Sequence, residues 1–175
     1  MQNCEDKICL VDCRLDYLAC LMQDRKMLRS SYLLNRTCAP INDIVSLQAV
    51  DNGKWVCAEN AGTAPLMANR DSPGPWESFS VVDISNVYGA SAVGLLAHAN
   101  EMFVCAESEG TAPLIANRET AELWEAFIWI INSDGTVSLQ AQVNELRICL
   151  DLVSGTLLAN QTIPGVSAKF NLKVW

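Results

Sequence analysis

Histidine is almost absent. One residue, His98, serves the whole 175-residue chain, so no Ser-His-Asp or Cys-His arrangement supports nucleophilic catalysis. Basic residues are also few, 12 Lys and Arg against 20 Asp and Glu, for a net charge of -8. Nucleic acid and heparin call for clustered cations, so neither is expected as a partner. No apolar run approaches the roughly 18–20 residues that span a bilayer. Glu5-Asp6-Lys7 interrupts the N-terminus at once, which breaks the charged-then-apolar order of a signal peptide. None of the eight cysteines forms a CxxC pair, and zinc spacing is missing with it. There is no glycine-rich phosphate loop. The chain therefore reads as a non-enzyme with no cofactor and no metal.

Cysteine is the exception to this sparse chemistry. Five lie in the first 38 residues, at Cys4, Cys9, Cys13, Cys20 and Cys38, while Cys57, Cys105 and Cys149 stand far apart. Residues 5–34 hold no Gly and no Pro, and their Leu, Met, Ala, Arg and Lys favour helix. A Cys-rich α-helical segment is expected over residues 1–40, either as one long helix or as two helices broken near Gln23-Asp24-Arg25. Cys9, Cys13 and Cys20 would share one helix face, better placed to bond a second helix or another chain than one another. All five are disulfide candidates, with packing as small apolar residues as the alternative. Their density points to an oxidising compartment and a secreted, extracellular protein. An odd number leaves one whose partner lies in the later domain or in another chain, or which stays a free thiol; of these, a homo-oligomer linked through this segment is the expectation.

From residue 44 the chain repeats itself. Trp55-Val56-Cys57-Ala58-Glu59, Gly62-Thr63-Ala64-Pro65-Leu66-Met67-Ala68-Asn69-Arg70 and Trp76-Glu77 recur 48 residues later as Phe103-Val104-Cys105-Ala106-Glu107, Gly110-Thr111-Ala112-Pro113-Leu114-Ile115-Ala116-Asn117-Arg118 and Trp124-Glu125. A fainter third copy carries Ile148-Cys149-Leu150-Asp151, Gly155, Leu158-Ala159-Asn160 and Phe170. A period of this size marks a fold assembled from copies. Val45, Leu47 and Ala49 alternate with polar residues, as do Val93, Leu95, Ala97 and Val137, Leu139, Ala141, which is strand periodicity. Asp51-Asn52-Gly53 predicts a hairpin turn. A second strand follows with Val56 and Ala58 inward, and Gly62, Gly110 and Gly155 mark the next turn. Leu66-Met67-Ala68 opens a third strand and Phe79-Ser80-Val81-Val82 a fourth. Twelve strands in three copies (44–89, 90–135 and 136–175, within a domain 41–175) are expected to close on themselves and so remove exposed edges. The extra residues around Val87–Ser91 read as a longer surface loop. The three repeat cysteines sit at equivalent positions around a threefold axis, too far apart to bond each other, and read as small buried thiols.

The words NGKWVCAENAGTAPLMANR…GPWESF and NEMFVCAESEGTAPLIANR…LWEAF resemble the fascin-like β-trefoil repeats, especially the carbohydrate-binding trefoil modules of microbial β-glucanases. The resemblance covers residues 44–175; residues 1–40 carry none. It implies a mainly β protein, a β-trefoil of three four-stranded repeats, with a small sugar pocket in each copy. It also implies a glycan partner, of β-glucan or galactose type.

Sugars are held by an aromatic ring on their C–H face and by directed polar groups on their hydroxyls. Trp76 beside Glu77, and Trp124 beside Glu125, offer both. Glu59, Asn69 and Arg70 recur as Glu107, Asn117 and Arg118, to complete or hold the pocket. Each has a plainer reading. The tryptophans are alternatively barrel-capping core residues, the asparagines turn closers, the arginines surface partners of Glu77 and Glu125, and Glu59 and Glu107 solvated strand positions. Trp55 aligns with Phe103 and Arg147 and reads as packing under a turn, His98 aligns with Val50 and Gln142 and reads as incidental, and Trp129 has no matching tryptophan and reads as packing. In the third copy Asp151 replaces the glutamate, Gln161 the arginine, and Ser167-Ala168 the Trp-Glu pair. Two competent sites and one lost or altered site follow. A fascin-type protein-interaction module that binds actin, and a secreted defence factor or toxin docking to cell-surface glycans, are the competing functions.

Overall fold

The computed structural model describes residues 39–89, 91–163 and 165–175. The expected helical segment and its five cysteines lie outside the described residues. Twelve strands follow in chain order: β1 (Ile44–Ala49), β2 (Trp55–Ala58), β3 (Leu66–Arg70) and β4 (Phe79–Asp83); β5 (Ala92–Ala97), β6 (Met102–Cys105), β7 (Ile115–Arg118) and β8 (Phe127–Ile131); β9 (Val137–Ala141), β10 (Arg147–Leu150), β11 (Leu157–Gln161) and β12 (Phe170–Val174). All pairs are antiparallel. β1 pairs with β4, β4 with β5, β5 with β8, β8 with β9, β9 with β12, and β12 returns to β1. The first and fourth strands of each copy thus close a six-stranded barrel that has no free edge. The second and third strands form three hairpins, β2–β3, β6–β7 and β10–β11. These hairpins bond to each other, through Leu66 N–H to the Leu114 carbonyl at 2.8 Å and Leu114 N–H to the Leu157 carbonyl at 2.9 Å.

The apolar alternation read from the sequence lines the interior in threefold layers. Leu47, Leu95 and Leu139 form one set; Phe79, Phe127 and Phe170 form another; Val56, Val104 and Ile148 a third, all buried. Each phenylalanine, fully removed from water, contributes on the order of 1.5–3 kcal/mol. Trp129 stands where the other copies have Val81 and Leu172, and is 6% exposed within this core.

Each copy turns from its first strand to its second on an asparagine. Asn52, Asn100 and Asn144 accept the backbone N–H two residues on and donate Nδ2 to the carbonyls of Ala68, Ala116 and Ala159, at 2.7–2.8 Å. The amide thereby ties each turn to the third strand of its own copy. Gly62 and Gly110 sit at φ +81 and +80 and pack against the side chains of Asn100 and Asn144 in the next copy. A side chain at either glycine has neither the backbone conformation nor the room.

The extra residues of the first copy differ from the expected loop. Ser85–Tyr88 form one helical turn, α1. Asp83 Oδ1 accepts the Ser85 N–H at 2.9 Å, which starts the turn, and Gly89 at φ +93 ends it. Gln142 Nε2 fixes it by donating to the Tyr88 carbonyl at 2.6 Å.

Candidate functional site

The site begins at the end of the β2–β3 hairpin. Glu59 follows β2 directly, and Asn69 and Arg70 end β3, so the antiparallel register brings them side by side. Arg70 Nη2 lies 2.9 Å from Glu59 Oε1 and 3.0 Å from Oε2. Asn69 Nδ2 donates to Glu59 Oε1 at 2.6 Å, and Arg70 Nη1 donates to Asn69 Oδ1 at 2.9 Å. Asn69 is therefore a strand residue holding Glu59, and the turn-closing reading is overturned; the turns are closed by Asn52 and its equivalents. Asn117 does the same in β7, donating to Glu107 Oε1 at 2.7 Å. Glu59 and Glu107 lie just past their strands and are partly covered, each paired to an arginine.

The second part of the site is a 3-10 turn between the third and fourth strands. Pro75–Glu77 and Leu123–Glu125 form it in the first two copies, and Val166–Ala168 in the third. Glu77 Oε2 accepts the Gly74 N–H at 2.7 Å, and Glu125 Oε2 accepts the Glu122 N–H at 2.9 Å. The other oxygen, Oε1, faces the arginine Nε at 3.7 Å in both copies. Glu77 is 6% and Glu125 3% exposed. The expected Arg–Glu pairs are present, but the carboxylates are inside, where they cap the turn and orient the guanidinium.

Behind each carboxylate is the repeat cysteine. Cys57 and Cys105 are fully buried and free. Burial first, then hydrogen bonding to Glu77 and the charges of Glu77 and Glu59, push the Cys57 thiol far above the usual range, only partly opposed by Arg70. Cys105 is raised the same way by burial, Glu125 and Glu107. A protonated thiol can donate, and the buried glutamate beside each one favours that protonated form. The sequence reading missed this role, although the coincidence of Cys, Glu, Arg and Glu in two copies was its visible trace.

The tryptophans stand on the outer side of the turn. Trp76 is 41% exposed and, with Arg70, Ser72, Pro73, Gly74 and Glu77, lines a shallow open cleft of about 400 Å³. Trp124 is half-buried, beside an exposed Leu123. Neither ring is a sealed barrel cap.

In the third copy the ionic cluster is gone. Ala168 occupies the Glu77 position and is fully buried, and Ser167 occupies that of Trp76. Gln161 Nε2 donates to Ser167 Oγ at 3.2 Å in place of the arginine contacts. With no carboxylate to meet, Cys149 turns its thiol to Asn160 Oδ1 at 2.8 Å. Asp151 caps its own turn through Ser154 Oγ and the Val153 N–H.

No protein-family model and no curated protein matches the chain. Solved structures do. The designed threefold-symmetric protein ThreeFoil superposes with a TM-score of 0.65 at 18% identity over 74% of this chain and 96% of that one. The BEL β-trefoil gives 0.66 at 6% identity over 79% and 97%. An exo-β-1,3-galactanase from Clostridium thermocellum gives 0.64 at 14% identity, where the match spans 78% of this chain but 31% of the enzyme. A GlcNAcα1-4Gal-releasing endo-β-galactosidase from Clostridium perfringens gives 0.63 at 10% identity, over 76% of this chain and 32% of that enzyme. At these identities the likeness speaks for the fold, and together with the closed barrel and its three hairpins it makes the described chain a β-trefoil.

Proposed function

We propose that the chain is a non-enzymatic glycan-binding protein with two sugar sites, one in each of the first two copies. The observation that carries this is the Trp76 indole, 41% exposed and forming a wall of an open cleft beside Arg70. A flat apolar ring next to pre-oriented polar groups is what a pyranose needs. Arg70 is held from two sides by Glu59 and Glu77, so little side-chain freedom is lost on binding. Glu59 and Asn69 adjoin Arg70 through hydrogen bonds and would offer further acceptors and donors to hydroxyls. Glu77 acts by positioning Arg70. Trp124, Arg118, Glu107, Asn117 and Glu125 repeat the arrangement. The ligand class is a β-glucan or a galactose-type glycan; the fold recurs within two enzymes named for acting on galactosides. An extracellular setting and an oligomer linked through the N-terminal cysteines belong to the same proposal, because several weak sites on one body gain by avidity.

A glycan array tests this. The Trp76→Ala/Trp124→Ala protein is expected to lose binding, with each ring worth about 1–3 kcal/mol. Full binding by a folded double variant would place the site elsewhere.

A second reading, a fascin-type protein-interaction module, is favoured by the third copy. There Leu152, Val153, Ile163 and Val166 are exposed, Val153 at 97%, on the turns that flank the lost site. Contiguous exposed apolar patches mark protein contacts, and these four side chains are the candidates for one.

A further inference from the structure

The two sites share their frame but differ in charge. In the first copy three carboxylates (Glu59, Asp71 and Glu77) are accompanied by two cations (Arg70 and Lys54), and Lys54 is bound to Asp71. In the second, Met102 replaces Lys54, Glu119 replaces Asp71, and Glu122 replaces Gly74. Four carboxylates (Glu107, Glu119, Glu122 and Glu125) there accompany the single cation Arg118. Glu119 and Glu122 are exposed and make no ion pair among the described residues.

Position 74/122 is the decisive one. Gly74 lines the cleft beside Trp76 and Arg70. A Cβ added there would lie 3.3 Å from Glu77 Oε2 and within 4 Å of nothing else outside its chain neighbours. A side chain at this position therefore starts at the rim of the cleft, next to the buried carboxylate. The backbone is extended in both copies, with φ -138 at Gly74 and -119 at Glu122, so glycine is not required by conformation. The same turn thus carries an empty position in one site and a carboxylate in the other.

Resting on the glycan-binding reading, we propose that Glu122 is a specificity-determining residue. It closes the second site to sugars that carry a carboxylate or sulfate, while Gly74 leaves the first site open to both neutral and acidic sugars. An exposed like charge at the rim of a binding site is a device for rejecting a ligand of the same sign. At the surface, two like charges about 4 Å apart repel enough to lower affinity roughly five- to tenfold or more. Neutral sugars meet no such penalty in either site.

The test uses the full chain with one site silenced at a time. Trp76→Ala leaves the second site and Trp124→Ala leaves the first. Calorimetry compares laminarin with carboxymethyl-laminarin, and lactose with 3′-sialyllactose. The Trp76→Ala protein is expected to bind the acidic member of a pair at least fivefold more weakly than the neutral one. Adding Glu122→Gly should erase that ratio. The Trp124→Ala protein should show no such ratio, and adding Gly74→Glu should create it. The effect should shrink at high salt. If neutral probes bind and the ratio ignores both substitutions in folded proteins, the specificity inference is wrong and the glycan reading survives. If no probe binds the wild type, both fall.

Discussion

Trp76 and Glu77 are neighbours in sequence with opposite fates. The indole faces solvent and the carboxylate is buried, because a 3-10 turn points successive side chains in different directions. The carboxylate tolerates burial because its oxygens meet a backbone N–H and a guanidinium, and a thiol lies behind it. The thiol has the reciprocal constraint. Beside a carboxylate and away from water, Cys57 and Cys105 stay protonated well beyond neutral pH, and Cys149 is raised by burial and Asp151. Thiolates, not thiols, react with alkylating agents. All three are therefore expected to resist iodoacetamide at pH 8 in the folded protein and to react once it is unfolded. Mass mapping of labelled peptides reads this residue by residue, and rapid native labelling of Cys57 or Cys105 would contradict the buried thiol–carboxylate pairing.

At the scale of the elements, the copies are locked by their turns. Gly53, Gly62 and Gly110 all lie at positive φ, but only Gly62 and Gly110 are also pressed by an asparagine of the following copy. Gly53 has nothing within 4 Å of an added Cβ. Gly53→Ala should therefore cost about 1 kcal/mol, the conformational part alone. Gly62→Ala and Gly110→Ala should each cost at least about 2 kcal/mol, since strain and a displaced asparagine add together. Urea denaturation of the three variants gives the comparison. Equal losses at all three would mean that the asparagines yield freely and are not locks. The hairpins and strands themselves were readable from alternation and from Asp51-Asn52-Gly53. The one-turn helix Ser85–Tyr88 was not, because it is set by Asp83 and by Gln142 from 54 residues away.

For the whole molecule, the pseudo-threefold frame is kept while the chemistry on it has diverged. The third copy keeps the 3-10 turn and the buried position at Ala168 but has lost the ion pairs that make a carboxylate acceptable there. Ala168→Glu alone should destabilise the protein by about 3 kcal/mol, as an unpaired buried charge does. Gln161→Arg in the same chain should recover a large part of that loss. A double-mutant cycle in urea measures the coupling, and simple additivity would show that the Glu–Arg frame is not transferable between copies.

The amino-acid sequence by itself determined the repeat, the strand period, the inward faces and the pairing of copies one and two against a divergent copy three. These depend on local alternation and on spacing, which survive in one dimension. It also marked Trp, Glu, Asn and Arg as companions, since their spacing recurs. Only the tertiary structure decided what each companion does. Whether Asn69 closes a turn or holds Glu59, and whether Glu77 or Trp76 stays at the surface, depends on which side chains lose their water when β3 folds back on β2 and the 3-10 turn settles over Cys57. That is a matter of burial and hydrogen-bond satisfaction among residues up to 20 positions apart, and neither quantity exists before the chain has closed.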